Sequence, residues 1–526
     1  MNNNFFLRSS ESGRTPFNSR LGSLFLTCSL ILSLSVDLLG EKIHILHSND
    51  SHGTFKAYPV IVKGKRRMVG GMEASSHYVN RIRDQYENVF LIDTGDVMTG
   101  TMAAEVGYKG VIGGAMIEFL NLMKYDVRCL GNHDFDRGQE NAIYQMRLAE
   151  FPTVMANLVY AKDGSLFPVK PFHIFDVQGI KIGVTAVMEE NFLTEVLKEK
   201  VEGLDVLPAI PTLKAYMPTL EKLSDLIIVL VHDKFQNGLD VASHVPGVDI
   251  VLVASEDGRF AKVNDVLVKS TVGHQQTMGY LELEVKDGRI VDYKEDLIWL
   301  WADEDLNPSP EIKLLIDDVE KSIGSDYGEI IGDSKTDHFC KGVGVESSLG
   351  NWITDVMLWS TKAKIAFHNT GGIRSDILTG SISKADVFAV SPFFNTLVLF
   401  NLTGQQIKDL LEYDIEKKRD KLQVAGLQYS YLSKERKKYG QRVQTIEING
   451  DVLVRNGIVL HPDRVFKVVS NNYLTGHAES KYFGFHVDGI KTTGESLDSA
   501  LLRWLKKNKV LNYRVEGRIK KLKTSY

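Results

Sequence analysis

The sequence is poor in cysteine, in excess charge of either sign and in long apolar segments, and each shortage excludes a class of protein. Its 526 residues include three cysteines, of which Cys129 and Cys340 lie outside the N-terminal segment. Two cysteines in different halves of the chain form no disulfide framework, so a stable fold requires a large hydrophobic core. The 62 lysines and arginines are balanced by 67 aspartates and glutamates, a net charge of -5. This balance gives no electrostatic basis for binding nucleic acid.

The N-terminus carries the one apolar run in the sequence that approaches the length of a membrane span. Three arginines precede LGSLFLTCSLILSLSV at residues 21–36, which is short for a span and is followed at once by Asp37. This order predicts a secretory signal over residues 1–40, with an uncleaved anchor as the alternative. We therefore expect an exported protein, periplasmic, extracellular or at the cell surface, with no membrane span once the signal is removed.

Short apolar runs alternate with longer helical stretches between residues 42 and 255. The runs are KIHILHSND, NVFLIDTGD, DVRCLGNHD, FPTVMANL, KIGVTAVM, DLIIVLVHD and DIVLVAS. Runs that are apolar on both faces and separated by helices are typical of parallel strands. The sequence therefore predicts a mainly parallel sheet that is covered on both sides.

An amphipathic helix is predicted to join this region to a second one. Ser309 and Pro310 are typical of a helix start, and the apolar stripe that follows consists of Ile312, Leu315, Ile316 and Val319. A chain of this length favours two domains. The predicted organisation is a signal at 1–40, a first domain at 41–308, a linker helix at 309–324 and a mixed α/β second domain at 325–526.

Four of the apolar runs end in side chains that can bind metal ions. These are Asp50 with His52, Asp96, Asn132 with His133, and His232. Because the carboxyl ends of strands in an open α/β sheet share one crevice, we expect these side chains to converge. Carboxylate, imidazole and amide oxygen together favour Zn²⁺ or Mn²⁺, with Mg²⁺, Co²⁺ and Ca²⁺ as alternatives.

The number of candidate ligands exceeds the needs of one ion. A central carboxylate such as Asp96 can bridge two ions about 3.5–4 Å apart, which is the spacing that clamps a phosphoryl group and activates a water molecule. Each residue taken alone has an ordinary alternative, because a single histidine or aspartate after a strand usually caps a helix or completes a turn. The ordered set DxH, GD, GNHD and H favours the metal site.

The same segments resemble the 5'-nucleotidase family, which consists of secreted calcineurin-like metallophosphoesterases with a separate C-terminal nucleotide-binding domain. SNDSHG, DTGDVMTG, GNHDFD and VHDKFQNG are similar to the first half, and ESSLGN, NTGGIR, SPFFNTLV and LQVAGLQY to the second. The resemblance extends from about residue 42 to 515. It implies a four-layer α/β/β/α metallophosphoesterase domain and a C-terminal mixed α/β 5'-nucleotidase domain, joined by a helix.

The resemblance also implies roles for particular residues of the first half. One ion would be bound by Asp50, His52 and Asp96, and the other by Asp96, Asn132 and His232. His133 with Asp136 resembles the family's catalytic dyad, in which the imidazole stabilises charge on the phosphoryl oxygens and the carboxylate orients the ring.

In the second half, the resemblance implies a binding site for the substrate. Its residues are Asn369, Gly371, Gly372, Arg374, Phe393 and Tyr473. The guanidinium of Arg374 is suited to pairing with phosphate through two hydrogen bonds. Phe393 and Tyr473 match the two aromatic positions between which the family stacks a nucleobase, and ordinary core packing is the alternative for either ring.

One motif departs from the family pattern. The strand that corresponds to DIVLV ends in the family with Gly-Gly-His-x-His, Gln or Asn, and the outer residues of that triplet bind metal. Here those outer positions are Ser255 and Asp257. A carboxylate at 257 is a good oxygen ligand, whereas the hydroxyl of Ser255 is a weak donor for Zn²⁺, and Glu256 is a further candidate. In ESxLGN the preceding arginine of the family is Val345 here.

These observations lead to two hypotheses about function. The first is an exported, divalent-metal-dependent phosphohydrolase of the 5'-nucleotidase type, acting on nucleotides or related phosphate esters, with nucleotide-sugar or dinucleotide pyrophosphates as further substrates. The alternative is a nucleotide-binding or surface-interaction protein on the same scaffold, with a degraded metal site and little or no catalysis. The intact core ligands and dyad favour the enzyme, and the altered motif at 253–257 is the main support for the alternative.

Overall fold

The computed structural model describes residues 40–325, 327–340, 345–417 and 420–522. The predicted secretory signal therefore lies almost entirely outside the described residues. Among the helices of the described ranges, none combines the length and the apolar character that crossing a bilayer requires.

The first half of the described chain contains two six-stranded sheets and the helices that cover them. Its strands are β1 Glu41–Ser48, β2 Tyr58–Val62, β3 Lys65–Val69, β4 Val89–Asp93, β5 Gly107–Tyr108, β6 Val111–Ile112, β7 Val127–Cys129, β8 Thr153–Val154, β9 Leu158–Tyr160, β10 Phe172–Val177, β11 Ile180–Met188, β12 Leu204–Val206, β13 Leu226–His232, β14 Ile250–Val253, β15 Phe260–Val263, β16 Val266–Ser270, β17 Thr277–Lys286 and β18 Arg289–Trp299. Its helices are α1 Gly71–Arg83, α2 Gly114–Leu122, α3 Gln139–Leu148, α4 Phe192–Glu195, α5 Ala209–Leu223, α6 Phe235–His244 and α7 Pro310–Ile323.

The two large sheets are mixed, each with a parallel centre. The first has the order β18-β17-β1-β4-β7-β8, in which β1, β4, β7 and β8 are parallel. The second has the order β10-β11-β13-β14-β16-β15, in which β11, β13, β14 and β16 are parallel. Antiparallel strands complete both sheets. The expectation of one mainly parallel sheet was wrong, because equally apolar runs do not indicate which sheet a strand joins.

The sheets pack face to face between two layers of helices. Alternate residues of the central strands, such as Ile92 of β4 and Ile228 of β13, meet in the core between the sheets. Helices α1, α2 and α7 cover the outer face of the first sheet, and α5 and α6 cover that of the second. Central strands are thus buried on both faces, which explains their continuous apolar sequence. The result is the four-layer α/β/β/α arrangement that the resemblance implied.

The second half is a mixed α/β region with separate sheets. Its strands are β19 Ile330–Ser334, β20 Ile365–Asn369, β21 Gly380–Ser383, β22 Thr396–Thr403, β23 Leu422–Ala425, β24 Gln428–Tyr431, β25 Val443–Ile448, β26 Asp451–Arg455, β27 Ile458–Val459, β28 Val465–Asn471, β29 Lys491–Ser496, β30 Val510–Leu511 and β31 Ile519–Lys521. Its helices are α8 Ser348–Thr361, α9 Lys384–Val390, α10 Gly404–Glu416, α11 Asn472–Gly476 and α12 Leu497–Asn508.

A five-stranded sheet, β23-β20-β28-β22-β29, forms the centre of this second half. Helices α8 and α12 pack on one face of it around Trp352, which is fully buried. Helix α10 and a second five-stranded sheet, β27-β26-β25-β24-β31, enclose the core on its other face. The strand β20 is an inner strand of this sheet and ends at Asn369, where the predicted substrate-binding residues begin.

Helix α7 lies within the predicted segment 309–324 and packs on the first half of the chain. Its stripe is buried against the helices of the first sheet and consists of Ile312, Leu315, Ile316 and Val319. The side chain of Leu314 on the same helix points outwards and is 64% exposed. The helix is therefore part of the first core, and the second half begins directly after it.

We expect Ile312→Ala to lower the free energy of unfolding by about 2–5 kcal/mol, because it removes buried methyl groups and leaves a cavity. Leu314→Ala on the same helix is the matched control, with an expected change within about 0.5 kcal/mol. Denaturant unfolding followed by circular dichroism measures both changes. Equal losses for the two variants would contradict the packing of α7 described above.

Candidate metal and substrate site

The strand ends of the two large sheets meet at one edge of the sandwich. In the first sheet, Asp50 follows β1, Asp96 follows β4 and Asn132 follows β7. In the second sheet, His232 is the last residue of β13. The parallel centres of both sheets have their carboxyl ends at this edge, so side chains that are far apart in sequence become neighbours.

Asp96 lies between two histidines that come from different sheets. Its Oδ2 atom is 3.4 Å from His232 Nε2 and 4.0 Å from His52 Nε2. His232 Nε2 is also 3.2 Å from Asn132 Oδ1, and His52 Nε2 is 3.7 Å from Asp50 Oδ1. Atoms that bind one ion at about 2.0–2.2 Å are separated by roughly 3–4 Å from each other. Asp96 therefore lies between candidate ligand atoms that come from both sheets.

Backbone carbonyl groups orient both imidazoles toward these carboxylates. His52 Nδ1 is 3.0 Å from the carbonyl oxygen of Thr99, and His232 Nδ1 is 2.8 Å from that of Thr94. A carbonyl oxygen only accepts, so each Nδ1 carries a hydrogen, and Nε2 is the ring atom that faces the carboxylates. Metal-bound histidines in proteins typically have this outer hydrogen bond. The histidines are thus prepared as metal ligands by the fold itself.

The backbone of the site adopts unusual conformations to achieve this convergence. Asp50, His52 and Asp96 have φ angles of 49°, 46° and 56°, in the left-handed region that side chains other than glycine disfavour. Gly131 of the GNHD motif lies against the cluster, and a Cβ atom there would overlap with the Asp96 carboxylate and the His232 ring. Only glycine therefore allows β7 to end so close to Asp96.

The buried charges of this cluster favour a cation. Burial, together with the Asp96 and Glu256 carboxylates, raises the pKa of Asp50 to about 7, although His232 opposes this shift. Burial also acts against ionisation of Asp96, but His232 and His133 outweigh it and hold the pKa of Asp96 below its ordinary value. Buried carboxylates side by side repel each other, and a divalent cation relieves this repulsion. The donor set therefore fits a divalent metal ion.

His133 and Asp136 form a hydrogen-bonded pair beside the cluster. His133 Nδ1 is 2.8 Å from Asp136 Oδ2, and Asp136 Oδ2 also accepts from the Thr99 hydroxyl at 2.7 Å. Burial lowers the pKa of His133, but the charges of Asp136 and Asp96 more than compensate, and the net shift is upward. The His133 ring is thus held in one orientation, with Nε2 free to contact a bound group.

The strand end at β14 differs from the expectation for Ser255 and Asp257. Asp257 Oδ1 accepts from the hydroxyls of Ser255 and Ser270, both at 3.0 Å, and Oδ2 lies 3.3 Å from Arg259 Nη1. These bonds pair the Asp257 and Ser255 side chains with each other and Asp257 with its neighbours. The structure therefore does not bring either side chain into the cluster around Asp96. Glu256 points inward instead, and its Oε1 lies 3.9 Å from His52 Nε2.

A further histidine, His274, was missed by the reasoning from sequence. Its Nε2 lies 3.2 Å from Glu256 Oε1, and its ring centroid is 4.9 Å from that of His52. The signal that could have found it is its place in the loop after β16, which runs parallel to β14 and ends at the same edge.

The second half of the chain forms the opposite wall of a cavity of about 910 Å³. All the predicted substrate-binding residues line it together with the metal cluster, namely Asn369, Gly371, Gly372, Arg374, Phe393 and Tyr473. Arg374 reaches across the cavity, and its Nη2 lies 3.1 Å from His52 Nε2. The ring of Phe393 lies beside His133, with centroids 5.7 Å apart.

Tyr473 and its neighbours contact the first half directly. The Tyr473 hydroxyl donates to the carbonyl oxygen of Thr194 at 2.8 Å and accepts from Lys481 Nζ at 3.0 Å. Lys481 also pairs with Glu195 at 2.8 Å. Several basic residues that the reasoning from sequence did not single out line the same cavity: Arg137, Lys234, Lys417, Lys421 and Lys481. The lining also contains carboxylates, among them Glu189, Asp233 and Asp420, so the cavity is mixed in charge.

Comparison with known proteins gives matches along both halves. The family model of the calcineurin-like phosphoesterase matches residues 43–275, and that of the 5'-nucleotidase C-terminal domain matches residues 330–486. The chain is 28% identical to the 5'-nucleotidase of Homo sapiens over 559 residues, which cover 91% of each protein. It is 27% identical to the trifunctional nucleotide phosphoesterase protein YfkN of Bacillus subtilis, over 91% of this chain and 35% of that longer protein.

Solved structures share the same fold. The 5'-nucleotidase precursor from Thermus thermophilus superposes with a TM-score of 0.81 at 24% identity, over 92% of this chain and 100% of that one. The sulfate thiohydrolase SoxB, also from Thermus thermophilus, has a TM-score of 0.77 at 16% identity, over 92% of this chain and 97% of that one. With both domains matched in this order along a single chain, the protein belongs to the 5'-nucleotidase family of metallophosphoesterases.

Proposed function

We propose that this protein is a divalent-metal-dependent phosphohydrolase that releases phosphate from a nucleotide or a related phosphate ester. Nucleotide-sugar and dinucleotide pyrophosphates are included in the proposed substrate class. The observation that carries the proposal is the position of the buried Asp96 carboxylate between His52 and His232. No ordinary structural role requires two imidazole nitrogens and two buried carboxylates to converge in this way.

The metal ligands are proposed from these positions. Asp50, His52 and Asp96 would hold one ion, and Asp96, Asn132 and His232 the other. Two bound divalent ions would supply an activated water molecule and positive charge for the phosphoryl oxygens. Zinc or manganese suits the mixed nitrogen and oxygen donors best.

His133 and Asp136 would act on the phosphoryl group from beside this cluster. The hydrogen bond to Asp136 fixes the ring of His133 and favours its protonated form, in which Nε2–H can donate to a phosphoryl oxygen that gains negative charge. Thr99 holds Asp136 in turn. The pair therefore stabilises charge without having to move.

Arg374 is proposed to bind the substrate phosphate. In the present arrangement, its Nη2 donates a hydrogen bond to the lone pair of His52 Nε2. Since that nitrogen cannot bind an ion and Arg374 together, metal binding at His52 would release the guanidinium. The released guanidinium then lies in the same cavity as the basic side chains and the rings of Phe393 and Tyr473, which are proposed to contact the nucleobase.

We expect purified protein to retain close to two divalent ions per chain and to release phosphate from AMP or UDP-glucose when Mn²⁺ or Zn²⁺ is present. Asp96→Asn should lose both the metal and the turnover, because it weakens the shared ligand. His133→Gln is the matched comparison: it should keep the metal and lower kcat by about 10²–10⁴-fold. Metal content and released phosphate are measured on the same samples. Tight nucleotide binding without turnover on a panel of esters would instead support the nucleotide-binding protein.

We expect Arg374→Lys to raise KM for AMP by about tenfold or more, because an ammonium group cannot form two parallel bonds to phosphate. Metal content should not fall, since Arg374 is not a ligand. Steady-state kinetics and metal analysis measure the two effects. An unchanged KM would remove Arg374 from the proposed phosphate site.

We also propose that the protein is exported, and the support is the arginine-flanked apolar segment at 21–36. Sequencing of the N-terminus of the protein from its native host tests this. We expect a mature chain that begins near residue 40. A membrane-bound chain that retains residues 1–40 would show an anchor in place of a cleaved signal.

A further inference from the structure

We propose that Glu256 and His274 are additional ligands of the ion held by Asp50 and His52. The inference rests on the proposed metal centre. It adds His274, which no sequence motif places there, and it assigns Glu256, a candidate at the altered motif, to the ion of Asp50 and His52. It also explains how the second sheet provides ligands at this edge, although Ser255 and Asp257 bond to each other.

The distances among these groups fit one ion. Glu256 Oε1 lies 3.2 Å from His274 Nε2 and 3.9 Å from His52 Nε2. One ligand atom from each of the three residues lies within 4.8 Å of the other two. Asp50 Oδ1 is 3.7 Å from the same nitrogen of His52. Ligand atoms bound at about 2.0–2.2 Å are expected roughly 3–4 Å apart, so Glu256 and the two imidazoles fit around one ion, with Asp50 Oδ1 next to the nitrogen of His52.

The loop that carries His274 is attached to the loop that carries Asp50. The backbone N–H of His274 donates to the carbonyl oxygen of Asp50 at 2.6 Å, and the Tyr58 hydroxyl donates to the carbonyl of His274 at 3.0 Å. His274 has a φ angle of 57°, in the same left-handed region as Asp50 and His52. The backbone of His274 is therefore fixed beside Asp50, and its ring lies next to that of His52.

Gly273 makes this close approach feasible. A Cβ atom at this position would lie 3.0 Å from Glu256 Cγ and 3.1 Å from Asp50 Cβ. Glu256 and Asp50 thus both pack closely against this glycine, and a larger residue would displace them.

A simple ion pair between Glu256 and His274 is the alternative explanation. Their side chains are 38% and 27% exposed, and an ion pair with this exposure contributes little to the stability of the fold. Its loss would change the stability of the metal-free protein slightly and would leave metal affinity unaltered. If the two residues bind the ion, their loss would instead weaken metal binding. The two explanations can therefore be distinguished by experiment.

The test compares Glu256→Gln and His274→Gln with the wild type in titrations of chelator-treated, metal-free protein with Mn²⁺. We expect each variant to weaken one of the two binding events by at least about 10–100-fold, the loss seen even for residues that only support a ligand. Metal retained after dialysis should fall from two ions per chain toward one. Asp257→Asn is the matched control, because this neighbouring carboxylate points away from the cluster, and it should bind Mn²⁺ as the wild type does. Thermal unfolding of the metal-free variants checks that all three are folded.

Two ions bound by Glu256→Gln and His274→Gln with unchanged affinity would overturn the inference, and so would an equal loss in Asp257→Asn. Phosphate release by the wild type in that case would leave the proposed function standing. Conversely, a Mn²⁺ site that depends on Glu256 and His274 in a protein that hydrolyses no ester would support the inference and reject the proposed function.

Discussion

The burial of one carboxylate, that of Asp96, is the constraint on which the rest of the site depends. A carboxylate removed from water stays ionised only if positive charge or hydrogen-bond donors surround it. Asp96 obtains them from the ring of His232 and from the backbone N–H of His133. Because these partners follow strands of both large sheets, the two sheets must end together, and Gly131 must leave room between them. The close approach of the two sheets at this edge therefore depends on the room that Gly131 leaves for the Asp96 side chain.

The second half of the chain forms part of the site at this edge. Three contacts join the walls of the cavity. They are those of Tyr473 with Thr194, of Lys481 with Glu195 and of the His477 ring with the carbonyl of Val196. Arg374 extends across the cavity to His52. In the proposed mechanism, metal chemistry comes from the first half and substrate recognition from the second, so each half is incomplete alone. The contact between Arg374 and His52 links the two functions, since metal and guanidinium compete for one lone pair.

Much of the candidate site could be predicted because its residues stand at strand ends, a position that can be recognised along the chain. Asp50, Asp96 and His232 each end or closely follow an apolar run, and the structure brings them together. Asp257 occupies an equivalent position in the sequence but lies outside the cluster, because Ser270 holds it through a hydrogen bond that no local pattern reveals. His274 belongs to no motif, and its place depends on β16 lying parallel to β14.

The amino-acid sequence by itself determined the alternation of strands and helices, the burial of the central strands and the chemical types of the residues that follow them. These properties depend on neighbours along the chain, and periodicity and short motifs express them. Only the tertiary structure decided that the strands form two sheets, that Glu256 in place of Asp257 faces His52, and that His274 and Arg374 approach the same imidazole. The physical reason is that a side chain turns toward the partners that satisfy its charge and hydrogen bonds, and here those partners come from segments far apart in the sequence.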